Sequence, residues 1–184
     1  MNGLKKLIDE LNNLPEDYII LVESSPENAF ELSTALVKYM TDRNNSKGII
    51  VSANRPYTNL MNIYRKNEID ISKMFVLDCI SKNQNVEINA NNVIFLDNVS
   101  ALTDISLSIN ERLNGSKEKK FIFFDSITTM LMHNKPYIFA RFVHNVLTKM
   151  RLKGVGGILI SLQDTGNKEI RAEIAQLCDK VIKI

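Results

Sequence analysis

Three segments of the chain, "YIILV" at 18–22, "FIFF" at 121–124 and "GILIS" at 157–161, are apolar almost without interruption. A strand that faces water on one side alternates apolar with polar residues, whereas an uninterrupted run of strand length belongs to a strand covered on both faces. Strand-like runs of this kind recur at 17–22, 48–52, 74–78, 93–96, 120–124, 156–161 and 180–184. Between them the apolar period changes from 2 to 3.6. Residues Ala29, Leu32, Leu36 and Met40 mark a helix over 27–42, and Ile138, Phe142, Val146 and Met150 mark one over 137–152. Further helices are expected at 3–13, 56–66, 100–113 and 168–177. Alternation of strand and helix predicts an α/β fold: three layers, α/β/α, around one central, mainly parallel sheet. The polar stretch 80–91 reads as a surface loop, and Gly115 in "LNGSKEKK" ends a helix ahead of the fifth strand.

The 184 residues suit one domain, with a helix over 1–14 preceding a core over 15–184. Hydrophobic residues make up 45% and charged residues 24%, which excludes disorder as the dominant state. No run approaches the length of a membrane span, and the opening "MNGLKKLIDELNNLP" is unlike a signal peptide, so a cytoplasmic location is expected. A net charge of +2 without a long basic run neither demands nor excludes nucleic acid, which is not the expected partner. Cys79 and Cys178 sit among apolar neighbours and read as buried free thiols.

The segment "FIFFDSITTML", 121–131, joins an apolar strand to an acid, a hydroxyl and a helix start. Asp125 and Ser126 then read in two ways. A strand-end aspartate can hold magnesium beside a phosphate loop, as a Walker B acid does. It can equally cap the helix that follows.

The succession of strand, turn and helix, then "GIIVSANRP", "MFVLDCIS", "FIFFDSITTML", "GGILISLQD" and a terminal "LCDKVIKI", resembles the RecA-type ATPases, and among them the KaiC-like domains. The resemblance covers roughly residues 15–184. It implies that the Walker A and Walker B strands are neighbours in the sheet and that subunits often assemble into rings or filaments. Some archaeal members of that group share an "SP.N" turn and an "NRPY" segment, which makes this chain similar to a degenerate archaeal type.

A phosphate loop of the form GxxxxGK[ST] needs glycines so that backbone N–H groups can close around phosphate, a lysine for charge and a hydroxyl for magnesium. Residues 24–31 hold Ser24, Ser25, Pro26, Glu27, Asn28, Ala29, Phe30 and Glu31. Laid without gaps on the motif, Ser24 and Ala29 replace the glycines, Phe30 the lysine and Glu31 the hydroxyl. At an effective dielectric of about 20, like charges about 4 Å apart repel by roughly 4 kcal/mol, so Glu31 opposes phosphate while Phe30 forfeits its attraction. The stretch reads more simply as a helix start, with Ser25 as N-cap and Pro26 first in the helix. Weak anion binding at that terminus is the most it offers.

KaiC-like domains carry acids just after the second strand; this chain has Asn54 and Arg55, neither of which takes a proton near pH 7. The resemblance therefore implies a vestigial phosphate loop and no catalytic residue, with no cofactor and no metal expected. Asn54, Arg55 and Tyr57, together with Gln163 and Asp164, form a candidate recognition edge, although Pro56 at a helix start explains the first three without ligand. His133 and His144 lack a nucleophile signature. Arg141, Lys149, Arg151 and Lys153 read as a solvated helix face. The expectation is a regulatory or scaffold protein that meets itself or another protein. The alternatives are an atypical ATPase, with magnesium on Asp125 and a cation from Lys168 or Arg171, and a nucleic-acid binder of RecA ancestry.

Overall fold

All seven apolar runs are strands of one sheet in the computed structural model, which describes residues 2–82, 89–115, 118–163 and 166–184. The strands are β1 (Ile19–Ser24), β2 (Lys47–Ser52), β3 (Met74–Asp78), β4 (Val93–Phe95), β5 (Lys120–Asp125), β6 (Gly156–Leu162) and β7 (Lys180–Lys183). Their order is β4-β3-β2-β5-β6-β1-β7, and every neighbouring pair is parallel. The helices are α1 (Asn2–Asn12), α2 (Pro26–Asn44), α3 (Tyr57–Lys66), α4 (Leu102–Asn114), α5 (Ile127–Met132), α6 (Pro136–Lys153) and α7 (Lys168–Leu177), with a 3₁₀ turn at Ile71–Lys73.

Helices cover both faces, which is why the central strands are apolar through their middles, with polar residues at their ends. Along β1, Ile20 and Val22 pack with Leu7, Leu36, Leu60 and Tyr64 of α1, α2 and α3. The alternate residues Ile19 and Leu21 belong to the opposite core, with Ile105, Met130, Phe139, Val146 and Ile174 of α4, α5, α6 and α7. The two cores and the intervening sheet make the three layers. No helix among the described residues is long and apolar enough to cross a membrane.

One expectation is corrected. The strand preceding residues 24–31 and the strand ending at Asp125 are not neighbours, because β6 pairs with β1 on one side and β5 on the other. Two interstrand steps, roughly 10 Å, separate β1 from β5. Glycine permits the insertion: a Cβ on Gly156 would lie 2.1 Å from the Glu16 carbonyl oxygen, and one on Gly157 would lie 2.5 Å from that of Ile122. Hydrophobic periodicity reports the faces of a strand and is silent about its neighbours, so this order was not readable from it.

The layers also locate the topological switch point of the sheet. The helix after β2 lies on one face and the helices after β5 on the other, and β2 and β5 are adjacent. Chain connections thus diverge from the carboxyl ends of this pair, the place where open α/β sheets form ligand crevices.

Candidate functional site at the carboxyl edge of the sheet

The junction of β1 with α2 leaves no room for a loop. Strand residue Ser24 is followed by one extended residue, Ser25, and the helix begins at Pro26. Ser25 is the N-cap position, as its sequence suggests, but it gains that place through Pro26 and an extended backbone, without a side-chain cap bond. Its carbonyl accepts from the N–H groups of Asn28 (3.2 Å) and Ala29 (3.1 Å). The amides of Asn28 and Ala29 are therefore engaged inside a helix. The Glu27 carboxyl is held below the usual carboxylate range by its own backbone N–H and the Ser25 hydroxyl. An internal carboxylate already meets the electropositive end of α2. Ser24 is buried and its hydroxyl donates to the Ser25 carbonyl at 3.0 Å, turned back on the chain.

At the β2–β5 crevice, Asp125 ends its strand opposite Ser52, and its carbonyl accepts from Ala53 N–H at 2.8 Å. The Asp125–Ser126 peptide is cis. Of the two readings of this pair, the capping role falls to Ser126, whose Oγ accepts from Thr129 N–H at 3.4 Å. Asp125 points elsewhere. Burial pushes its carboxyl above the ordinary 3.8, against the pull of the Arg55 charge and smaller contributions from Asn54 and Ser33. The Ser33 hydroxyl is itself buried without a hydrogen bond of full geometry. Asn54 is fixed from the other side, its Oδ1 accepting from Thr129 Oγ1 at 2.6 Å.

Phe30 and Arg55 complete this cluster. The guanidinium carbon of Arg55 lies 4.0 Å from the centroid of the Phe30 ring, a stacked cation–π contact. Position 30, where the motif requires a lysine, thus carries a ring that seats an arginine from the β2–α3 turn. That arginine supplies the positive charge felt by Asp125.

The other candidates lie apart. Pro56 precedes α3 by one residue and is its N-cap, so the helix starts at Tyr57 and the expected first position is shifted by one. Tyr57 is buried; its N–H donates to Asp78 Oδ2 at 2.7 Å and its hydroxyl to Asn92 Oδ1 at 2.6 Å. Asp78, which sequence reading passed over, is fully buried at the end of β3 and also accepts from Ile80 and Ser81 N–H. A strand-end acid followed by serine three residues later is the signal that was present. Gln163 spends its amide on the carbonyls of Glu23 (3.2 Å) and Ile184 (3.0 Å), a tie between β6, β1 and the last residue. Asp164 lies outside the described residues, as does part of the stretch 80–91.

Near β7, Glu23 is buried and paired with Arg171 (2.8 Å) and Lys183 (3.1 Å). These charges line an open cavity of about 440 Å³ that Lys168 also lines. Lys168 and Arg171 both belong to α7, and Arg171 pairs with Glu23 while also bordering a cavity with Ile127 and Thr128 of α5. On α6, Arg141 and His144 are exposed, while Arg151 donates to Asp179 and to the Leu177 carbonyl. Both cysteines are free; Cys79 is buried as expected, whereas Cys178 is only half-buried, and desolvation pushes both thiols up to about 12.

An all-parallel seven-stranded sheet between two helical layers makes a three-layer α/β/α domain, and its likeness to solved structures is to a RecA-like fold. No family model matches the chain, and no curated protein does. Among solved structures it is similar to a KaiC-like protein, PH0186, from the hyperthermophilic archaeon Pyrococcus horikoshii OT3. The TM-score is 0.64 at 13% identity, over 92% of this chain and 72% of that one. It is also similar to the uncharacterized protein PH0321 of Pyrococcus horikoshii, solved in complex with an unknown peptide. Here the TM-score is 0.66 at 12% identity, over 97% of this chain and 82% of the other. At such identities the likeness is one of fold.

Proposed function

We propose that this chain is a RecA-like domain without ATPase chemistry that works as a regulatory or scaffold protein through contacts with other proteins. The observation that carries the reading is the start of α2 one residue after β1, which engages in a helix the amides that phosphate would need. The Phe30–Arg55 contact supports it, because the local cation is seated on a ring and faces an internal carboxylate. Asn54 and Arg55 offer no base to activate water. The peptide in the PH0321 complex supports the protein-binding half, as a property of a protein of the same fold.

Thermal unfolding with ATP or ADP and magnesium tests the reading. Ligand at a hundred times its dissociation constant adds about 2.7 kcal/mol to stability. For a chain of this size that raises the midpoint by roughly 5–10 °C. The expected result is a midpoint unchanged by any of the three; a saturable rise of that size overturns the proposal.

A further inference from the structure

Exposed large apolar side chains are few in this structure, and half of those among the described residues fall within seven positions: Met132 (74% exposed), Tyr137 (60%) and Ile138 (41%). They surround the corner between α5 and α6. Isolated exposed apolar residues need no explanation, but a cluster on one corner does. Met132 also borders a cavity of about 270 Å³ whose apolar wall is Ile127 and Leu131 and whose polar side is Thr128, Ser161, Asn167 and the cation Arg171 of α7. Small-molecule pockets begin at roughly 300 Å³, so this one has the capacity for a single side chain rather than a cofactor.

Charge selects the partner. From Ser126 to Gln163 the chain contains no aspartate or glutamate, while Lys135 and Arg141 bracket Tyr137 and Ile138. Both cations are exposed, and neither forms an ion pair among the described residues. The corner is held rigidly. Ser100 Oγ donates to the His133 carbonyl at 2.8 Å, and Asn134 Nδ2 donates to the carbonyls of Val99 (3.1 Å) and Met130 (2.7 Å). Thr128 Oγ1 accepts from Leu162 N–H at 2.8 Å, tying α5 to β6. A surface fixed before binding loses little conformational freedom when it is covered.

We infer that the α5–α6 corner is a docking surface for a protein segment presenting one bulky apolar side chain between carboxylates. The apolar side chain enters the cavity beside Met132, and the flanking acids meet Lys135 and Arg141. Two exposed cations are too few for the counterion release that drives nucleic-acid binding, and Tyr137 is a single exposed ring where a stacking platform takes successive bases on several. The inference rests on the scaffold reading and names its partner.

The test is selection of a random twelve-residue phage-displayed peptide library on the full chain, followed by fluorescence anisotropy with the enriched peptides. Enrichment of a bulky apolar residue flanked by Asp or Glu is expected, with at least tenfold weaker binding to Met132→Glu and Ile138→Glu. Leu152→Glu, at another exposed apolar position, should bind normally, and all three variants should melt with the parent chain. Several outcomes overturn the inference: no enrichment, a basic consensus, or peptides whose affinity ignores both corner variants. Displacement of the peptide by oligo-dT, or a dimer in light scattering that Met132→Glu abolishes, overturns it as well. Peptides bound elsewhere sink this surface and leave the scaffold reading intact, whereas a nucleotide-dependent melting shift sinks the scaffold reading itself.

Discussion

Replacing Arg55 with glutamine should expose how the crevice is balanced. Arg55 does two separable things: it stacks on Phe30 at 4.0 Å, and its charge offsets the burial of Asp125. The stacking is worth about 0.5–1 kcal/mol at a partly exposed site. Just outside ion-pair contact, unit charges at an effective dielectric of about 20 interact by roughly 2–3 kcal/mol, which solvent screening of a half-exposed arginine reduces to about 1. Near neutral pH the variant should therefore lose about 2 kcal/mol, or roughly 4–8 °C in midpoint. The sign with pH follows from the Asp125 shift. Its folded pKa lies above 3.8, so the native state binds the extra proton, and ionisation costs stability as pH rises through the folded value. Glutamine at 55 raises that value further, so the gap between the parent chain and the variant should widen with rising pH. In acid it should shrink to the stacking contribution. Urea unfolding at several pH values, repeated in an Asp125→Asn background, separates the parts. In that background the loss should fall to about 1 kcal/mol or less at every pH. An equal cost in both backgrounds near neutral pH would refute the assignment of Arg55 as the internal counter-charge.

Two further outcomes are expected. Arg171→Met should cost about 2–3 kcal/mol near neutral pH by leaving Glu23 with only the exposed Lys183. Burial raises the Glu23 carboxyl, but Lys183 and Arg171 outweigh it and hold the folded pKa below 4.5, so the variant's deficit should shrink as pH falls through the folded value; denaturant titrations at pH 7 and in acid check this. Both thiols, raised to about 12 by burial, should react with a disulfide reagent at pH 8 far more slowly in the native chain than in urea; two fast native thiols would contradict their placement.

The strands were legible because two-sided burial leaves a mark that turns cannot imitate: Ile19 and Leu21 serve one core and Ile20 and Val22 the other, so four successive positions are apolar. Helix α2 was legible from its period, with its expected limits of 27 and 42 inside the observed Pro26–Asn44. Helix α5, six residues long, is too short to show a period, and only the strand-end hydroxyl announced it. The crevice was half legible. Asn54, Arg55 and Asp125 were singled out separately, but their association depends on β2 pairing with β5 across a long insertion, which no local pattern encodes. Phe30 was visible only as a missing cation; that it seats one from position 55 is a tertiary fact.

Positions 30 and 55 are best understood together. A lysine at 30 would set a second cation against Arg55, whereas phenylalanine offers the guanidinium a flat, electron-rich face, so each residue accounts for the other. On the reading proposed above, restoring the lysine alone would not restore phosphate binding. The N–H groups of Asn28 and Ala29 would still be bonded to Ser25, and the carboxylate of Glu27 would still sit at the end of α2. A phosphate loop here requires the first turn of α2 to unwind and glycines to replace residues whose side chains block the close approach. Each glycine placed where a helix now runs costs about 1 kcal/mol, before the lost helical hydrogen bonds are counted. On that reading the barrier to nucleotide would lie in the path of the backbone more than in the side chains at 30 and 55.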